Sequence, residues 1–529
     1  MPTDPKTDKN SGSAKLVHPT YSAWKETWIQ SRDIYEGAGG FLDPARPYLM
    51  PHPREWLDHS VKKKDAAGNE IGWQPNPNPV VPAPKLVVRR KLARYENLAA
   101  AIIEPVSGAL FATPPTRGFA DQVRNDKVAA FWKDCDGKRT AMDAFMPDSW
   151  IVGATFGHAI LVMEKSAETP ATAADVALPR LCRYTPLDMI DWLTDAEGQL
   201  IGVKLLECAP RGTFAQKPLT DKDLRVRVIT ETAWTLYDHS GRQLETAEHG
   251  FGRLPVSILY GRRRLLEPVI GKSVIGDPQL HIDSYNLTSE VRELLRNQTF
   301  ALLNVPIGNE GSVEREQGQI GKQSGTSNVL FSTNPASFIS PEASNVQAYH
   351  EHLDRLARTI YRLASAPWES DSRDAESTGS MQLKRQDQQN TLVKYASEVQ
   401  RVELDILDLL YRALYGPDQA AKQMEADGVR VSYNTTFEVP DIEEVVKRTG
   451  ELIGLDIGET ATKEAKKRAV VAALPNLSKE MQETIGEEID AIKVLTAEEK
   501  QQQLLEQSQA RFGGKPGETK PPTPKPAAA

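Results

Sequence analysis

Apolar positions along the chain change their period several times, and each change marks a boundary between elements. From Tyr21 to Tyr35 the residues Trp24, Trp28 and Ile34 fall on helical spacing, and Gly37, Gly39 and Gly40 end the run. Lys64 to Lys85 carries Asn76-Pro77-Asn78-Pro79 and three further prolines, which predicts an extended surface loop. An Ala, Ile and Leu pattern from Lys91 to Leu110 predicts helix, closed by Phe111-Ala112-Thr113-Pro114-Pro115. Phe145 to Phe156 reads as helix, Gly157 breaks it, and Ala159-Ile160-Leu161-Val162-Met163 has the length of a buried strand. Further strands are predicted at Leu181–Tyr184, Met189–Trp192, Ile201–Leu206, Arg225–Thr230 and Ala233–Tyr237, with turns at Asp195–Gly198 and Ser240-Gly241. The middle third is therefore β-rich.

Beyond Pro268 the period becomes helical. Ile282 to Leu303 places Val291, Leu294, Leu295 and Leu302 among Glu290, Arg292, Glu293 and Arg296, an amphipathic helix. Asn304 to Ser344 is rich in Gly, Ser, Asn and Gln around one clear strand, Asn328–Phe331. Val346 to Leu363 gathers Leu353, Leu356, Ile360 and Leu363 on one face, and Glu351, Arg355, Arg358 and Arg362 on another. A polar loop, Trp368 to Gly379, precedes a helical pattern from Ser380 to Tyr415, about 54 Å at 1.5 Å per residue, which Gly416-Pro417 stops. A strand at Val429–Tyr433 follows. Asp441 to Phe512 reads as short helices punctuated at Gly454, Gly458, Pro475 and Thr496. The fold class expected from this order is α+β, and no internal repeat stands out.

Composition narrows the function. With 529 residues the chain holds roughly three or four substructures. The 40% hydrophobic and 26% charged residues exclude collagenous and globally disordered classes. A net charge of −8 rules out binding nucleic acid through an overall basic field and requires a local basic lining instead. Cys135, Cys182 and Cys208 lie far apart with no paired spacing, against a disulfide framework or structural zinc, which suits a reducing compartment. Met1 to Lys15 has no apolar core of a secretory signal, and no stretch approaches the ~18 apolar residues of a membrane helix.

Catalytic motifs are sparse. Gly271-Lys272-Ser273 has Leu266 where a phosphate-binding loop needs its first glycine, and Gly321-Lys322-Gln323 has Glu316 there and lacks the hydroxyl. His350-Glu351-His352 sets two imidazoles two positions apart on a helix, pointing in different directions. The acidic loop of Glu369, Asp371, Asp374 and Glu376 lacks the ligand alternation and turn glycine of a calcium loop. No activity, cofactor or metal is expected. Arg89-Arg90-Lys91 with Arg94, and Arg262-Arg263-Arg264, read as solvated faces or as sites for phosphate or a partner's acids.

Element order and several segments together resemble portal proteins of tailed bacteriophages. The segments are Trp28 with Arg32-Asp33 and Gly37, Tyr48-Leu49-Met50-Pro51, Gly108 to Pro115, Phe156-Gly157-His158-Ala159-Ile160-Leu161-Val162, Tyr184 with Ile190-Asp191-Trp192, Ile282 to Leu294, and the Thr378 to Leu414 helix after the Ala366-Pro367 break. The Pro-rich stretch Gly72 to Lys85 and Met163, where an acidic residue often ends the strand, depart from the pattern. The resemblance implies an arm at 1–20, a β-rich wing at 21–280, a stem helix at 281–304, a clip at 305–344, a second stem helix at 345–365 and a tunnel loop at 366–379. A long wing helix with a strand at 380–440, a helical crown at 441–511 and a tail at 512–529 complete it. It further implies a ring of about twelve subunits at one capsid vertex, assembled in the host cytoplasm and carried in the virion.

Double-stranded DNA would pass through that ring, driven by a separate terminase. Partners would include terminase, a head-completion or tail adaptor, the major capsid protein and scaffolding protein, and no membrane. The channel candidates are Arg355, Arg358, Arg362, Glu369, Asp371, Arg373 and Asp374; the clip surface that meets partners would carry Glu314, Arg315, Glu316 and Lys322. Two alternatives stand beside this reading: another ring-forming virion or adaptor protein, and a metal-dependent nucleic-acid enzyme using the carboxylates between 369 and 376.

Overall fold

A computed structural model describes residues 17–42, 48–51, 60–64, 70–75, 84–120, 123, 125–165, 178–209, 223–299, 302–306, 329–332, 337–339, 344–366, 378–435, 437, 447, 449–451, 459–473 and 479–491. Residues 1–437 and 438–529 form two separate compact units.

A long helix forms the spine of the first unit. Helix α8 (Thr378–Tyr415) has 38 residues, which at 1.5 Å each span about 57 Å. Tyr395, Ala396, Val399, Val402, Ile406, Leu409 and Leu410 keep helical spacing and are all buried in the largest core cluster. A second face carries charge and is zipped to the body. Arg253 donates to Asp405 at 2.6 Å and Asp408 at 3.0 Å, while Arg263 pairs with Glu398.

The five-residue apolar run at 159–163 lies within β4 (His158–Glu164), the middle strand of a three-stranded sheet between β11 (Val256–Tyr260) and β5 (Arg180–Tyr184). Its alternate side chains enter two cores. Ala159, Leu161 and Met163 join the cluster around α8, whereas Ile160 and Val162 join Trp28, Trp192 and Ile270 on the other face. A strand covered on both faces reads as continuous rather than alternating hydrophobicity. The strand ends one residue beyond the sequence estimate, at Glu164, whose carboxylate receives both Arg180 donors at 3.0 and 2.8 Å. An acidic residue therefore does close it.

The remaining wing strands, β6 (Met189–Thr194), β7 (Leu200–Cys208), β8 (Leu224–Thr230), β9 (Ala233–Tyr237) and β10 (Gln243–Glu248), form an antiparallel meander in the order β10-β9-β8-β7-β6. The α+β class follows from these antiparallel sheets and the helices packed beside them. Among the described residues no helix is long and apolar enough to cross a membrane.

Several expectations need correction. The Pro-rich stretch is not loop throughout: β1 (Ser60–Lys64) pairs antiparallel with β2 (Glu70–Pro75), and Pro84 opens α2 (Pro84–Leu92). Proline ends a strand or starts a helix without losing a needed donor. The pattern from Lys91 to Leu110 splits into the end of α2 and α3 (Leu98–Leu110), where Asn97 caps the Ala100 N–H at 2.9 Å. Helix α6 (Pro278–Thr299) stops before Leu302, which begins β12 (Leu302–Pro306). Gly416-Pro417 does end α8, but Pro417 starts a new helix, α9 (Pro417–Asp427). Strands β3 (Thr116–Gly118), β10 and β11 and helix α4 (Asp126–Lys133) lie where no element was expected. Every residue of β10 is exposed, so it has no alternation to read. The second unit contains α10 (Glu459–Ala473) and α11 (Lys479–Ala491), tied by Lys467 to Asp490 at 2.7 Å.

Glu403, in the middle of α8, is fully buried. Arg117 on β3 grips both its oxygens, one bond at 3.0 Å, and the Tyr433 hydroxyl donates to it at 2.5 Å. Tyr433 follows β15 (Arg430–Ser432), which pairs antiparallel with β3. Replacing Arg117→Met leaves a buried anion without its cation and is expected to cost about 3–5 kcal/mol. Arg117→Met with Glu403→Met should recover much of that loss. Denaturant midpoints of the two variants measure it; a double variant no more stable than the single contradicts the assignment.

Candidate nucleic-acid interface

Helix α6 runs antiparallel to α7 (Ser344–Ala364), with Tyr349 donating to Glu290 at 3.3 Å. The segment joining them holds a small mixed sheet. Its central strand β12 pairs parallel with β13 (Val329–Ser332) and antiparallel with β14 (Ser337–Ile339). The expected strand at 328–331 is β13; its companion β12 begins where the sequence pattern ran the helix on to Leu303, and the three-residue β14 was not expected.

Ile360 and Ala364 turn into the body against Ile102, flanked by Leu98, Leu280, Leu356 and Tyr361. Leu363, expected on that face, is 42% exposed; Ala364 takes the buried place. The opposite face carries Glu351, Asp354, Arg355, Arg358 and Arg362, all exposed. At 100° per residue these five occupy an arc of about 100°, and Arg355 to Arg362 spans about 10.5 Å along the axis. With Thr359 they line a cleft of about 450 Å³. The acids sit toward the N-terminal end of this stripe and the arginines toward the C-terminal end, where the helix dipole favours cations. Among the described residues none of the three guanidiniums has an ion-pair or hydrogen-bond partner. The three guanidiniums share this face with Glu351 and Asp354, and a guanidinium is a group suited to bidentate contact with phosphate oxygens.

Glu369, Asp371, Arg373, Asp374, Glu314, Arg315, Glu316 and Lys322 lie outside the described residues. His350 and His352 are exposed on α7, and among the described residues no group of three or more His, Cys, Asp or Glu side chains is placed to hold a metal ion. Cys135 and Cys182 are pushed up to about 12 by burial, so neither is a thiolate near neutral pH.

The other basic clusters serve the fold. Arg89 is buried, bonding Ser289 at 3.1 Å beside Glu290 and Glu293 of α6. Arg94 donates to the Lys91 and Ala93 carbonyls. Arg263 holds Glu398 at 3.0 and 3.2 Å, and Arg264 lies 4.1 Å over the Trp24 ring while pairing with Glu267.

Gly271-Lys272-Ser273 is likewise structural. A Cβ on Gly271 would stand 1.9 Å from the Gly157 carbonyl oxygen, so this glycine permits two backbones to touch. The Ser273 hydroxyl lies 2.7 and 3.1 Å from the Thr155 and Ala154 carbonyls, at the end of α5 (Met142–Phe156). The sequence signal that a phosphate loop was absent, Leu266 in place of glycine, agrees with this use.

No protein-family profile matches the sequence, and no curated protein matches it. Among solved structures, a chain from the neck of an empty gene transfer agent particle computed with C6 symmetry aligns at a TM-score of 0.40 and 11% identity, covering 70% of this chain and 90% of that one. A chain from the virion of a native gene transfer agent particle aligns at 0.36 and 12%, covering 77% and 93%. With both TM-scores below 0.5, the functional reading rests on the chain's own geometry.

The Gly271 N–H donates to Nδ1 of the fully buried His158 at 3.3 Å, and Nε2 has no hydrogen-bond partner among the described residues. Burial pushes this imidazole down to about 3, and burial also lowers His249 and His281. An unfolded histidine titrates near 6.5, so between 6.5 and about 3 the unfolded chain binds the proton and the folded chain does not. Stability is full above pH 6.5 and falls with acid, by about 1.4 kcal/mol per pH unit from His158 once well below that value. Urea midpoints between pH 7 and 5 should show this slope, reduced in His158→Gln; an equal slope in both proteins contradicts it.

Proposed function

We propose that the chain is the portal subunit of a tailed phage or phage-like particle, a structural protein without a catalytic step of its own. About twelve copies form a ring, α6 and α7 make the stem, and the sheet of β12, β13 and β14 belongs to the clip. The observation that carries this reading is the Arg355, Arg358 and Arg362 stripe, exposed and without a partner among the described residues, on one of two antiparallel helices that lead into an inserted sheet. Repeated around an axis, each arginine becomes a belt of positive charge about a central hole, although the chain is acidic overall.

Such belts meet phosphates at any sequence and let a duplex slide, because phosphate contacts position DNA without reading bases. Glu351 and Asp354 at the other end of the stripe limit adhesion by repulsion. The motor is a separate terminase, and the clip docks it during packaging and an adaptor afterwards. Residues 386–394 of α8 contain no buried side chain, which leaves that part of the long helix for the neighbouring copy.

Replacing Arg355→Ala, Arg358→Ala and Arg362→Ala together should leave folding and rings intact, since none of the three side chains has a hydrogen-bond or ion-pair partner among the described residues. The same variant should lower the yield or retention of packaged DNA in assembled particles several-fold. Wild-type packaging and retention by intact variant rings would remove the stripe from the mechanism.

A further inference from the structure

Arg262 stands just beyond β11 and reaches the far end of α7. Its Nη1 donates to the Leu363 carbonyl and Nη2 to the Ala364 carbonyl, each at 2.8 Å, and Nε donates to the Tyr395 hydroxyl of α8 at 3.1 Å. Both carbonyls belong to the last turn of α7, where no later helical N–H can satisfy them. A guanidinium there also meets the negative end of the helix dipole. The backbone behind it is anchored, because the Arg262 carbonyl accepts the Lys272 N–H at 2.7 Å beside the contact of Gly271 with Gly157.

The end of α7 is held in a conformation its own residues disfavour. Ala366 N–H reaches the Tyr361 carbonyl at 3.0 Å and Ser365 N–H reaches Arg362 at 3.1 Å, which sets Ser365 at φ 55°. This left-handed closure normally uses glycine. Continuing the helix is no alternative, since Pro367 disfavours helical geometry at Ala366. The bond to Leu363 lies at the surface, where water competes with it. In the structure the last turn is closed on Arg262 with Ser365 held in the left-handed region.

We infer that Arg262 is a positioning latch: by clamping the last turn of α7 it fixes where Arg358 and Arg362 stand, and so sets the grip of the stripe on DNA without touching DNA. The effect on DNA rests on the portal reading; the clamp itself does not. Hydrogen exchange of the full chain reads the clamp directly at the Ser365 and Ala366 amides. Arg262→Gln should speed exchange there by about tenfold with the rest of the chain little changed. Ser365→Gly should slow it, and should restore most of the protection when added to Arg262→Gln. Tyr395→Phe should have a small effect, because both carbonyl bonds remain. Unchanged exchange in Arg262→Gln, or acceleration spread evenly over the chain, overturns the latch.

In particles, Arg262→Gln rings of normal mass should lose packaged DNA faster than wild type, and the added Ser365→Gly should correct this. Equal retention by the two rings overturns the link between latch and stripe. Wild-type protein that forms no ring and enters no particle would count against the portal reading, while exchange would still judge the clamp.

Discussion

Glu403 is a carboxylate without access to water, and an isolated buried charge is too costly to keep unless it is paired and hydrogen-bonded. Its partners come from distant parts of the chain: Arg117 precedes Glu403 by 286 positions and Tyr433 follows it by 30. Satisfying this one group therefore brings β3 and β15 together over the middle of α8 and fixes the rotation of the long helix about its axis. That rotation turns Val399, Val402, Ile406 and Leu410 into the core and leaves Glu398, Asp405 and Asp408 facing Arg263 and Arg253. The helix can then brace both the wing strands on one side and the α7 terminus, through Tyr395 and Arg262, on another.

Arginines divide by their surroundings. Those at 89, 117, 253, 262, 263 and 264 close internal contacts, to carboxylates, carbonyls or an aromatic ring, and these contacts hold elements together. Those at 355, 358 and 362 point outward from a helix whose opposite face buries Ile360 and Ala364. A charge with an internal partner contributes to the fold; among the described residues these three have none, which is what the portal proposal uses. The division matters for a channel, where the lining must be fixed in place and yet free to meet a moving polyanion.

Much of the architecture was legible because period and burial agree in the segments concerned. The long helix, the two antiparallel helices and most wing strands were placed to within a few residues from hydrophobic spacing alone. The misses have physical causes. Strand β10 is exposed along its whole length, β3 is only three residues long, and β1 and β2 hide among prolines and glycines that usually signal loops, whereas the expected strand at 429–433 is found as β15. The roles of Arg262 and of Gly271-Lys272-Ser273 were not legible, since both depend on backbone groups brought close only by folding. For the stripe, the sequence supplied the spacing of Arg355, Arg358 and Arg362, and the structure added that they are exposed and lack partners among the described residues.

The central claim is that copies of this chain close into a ring around a hole wide enough for duplex DNA. Light scattering with negative-stain imaging of the purified protein tests it most directly. At 58.5 kDa per chain, twelve copies give about 0.7 MDa, built from head-to-tail contacts that close on themselves. Rings of that mass with a central hole some tens of ångströms across are the predicted result. A protein that stays monomeric across salt and concentration, and also when scaffolding protein is supplied, would contradict the account.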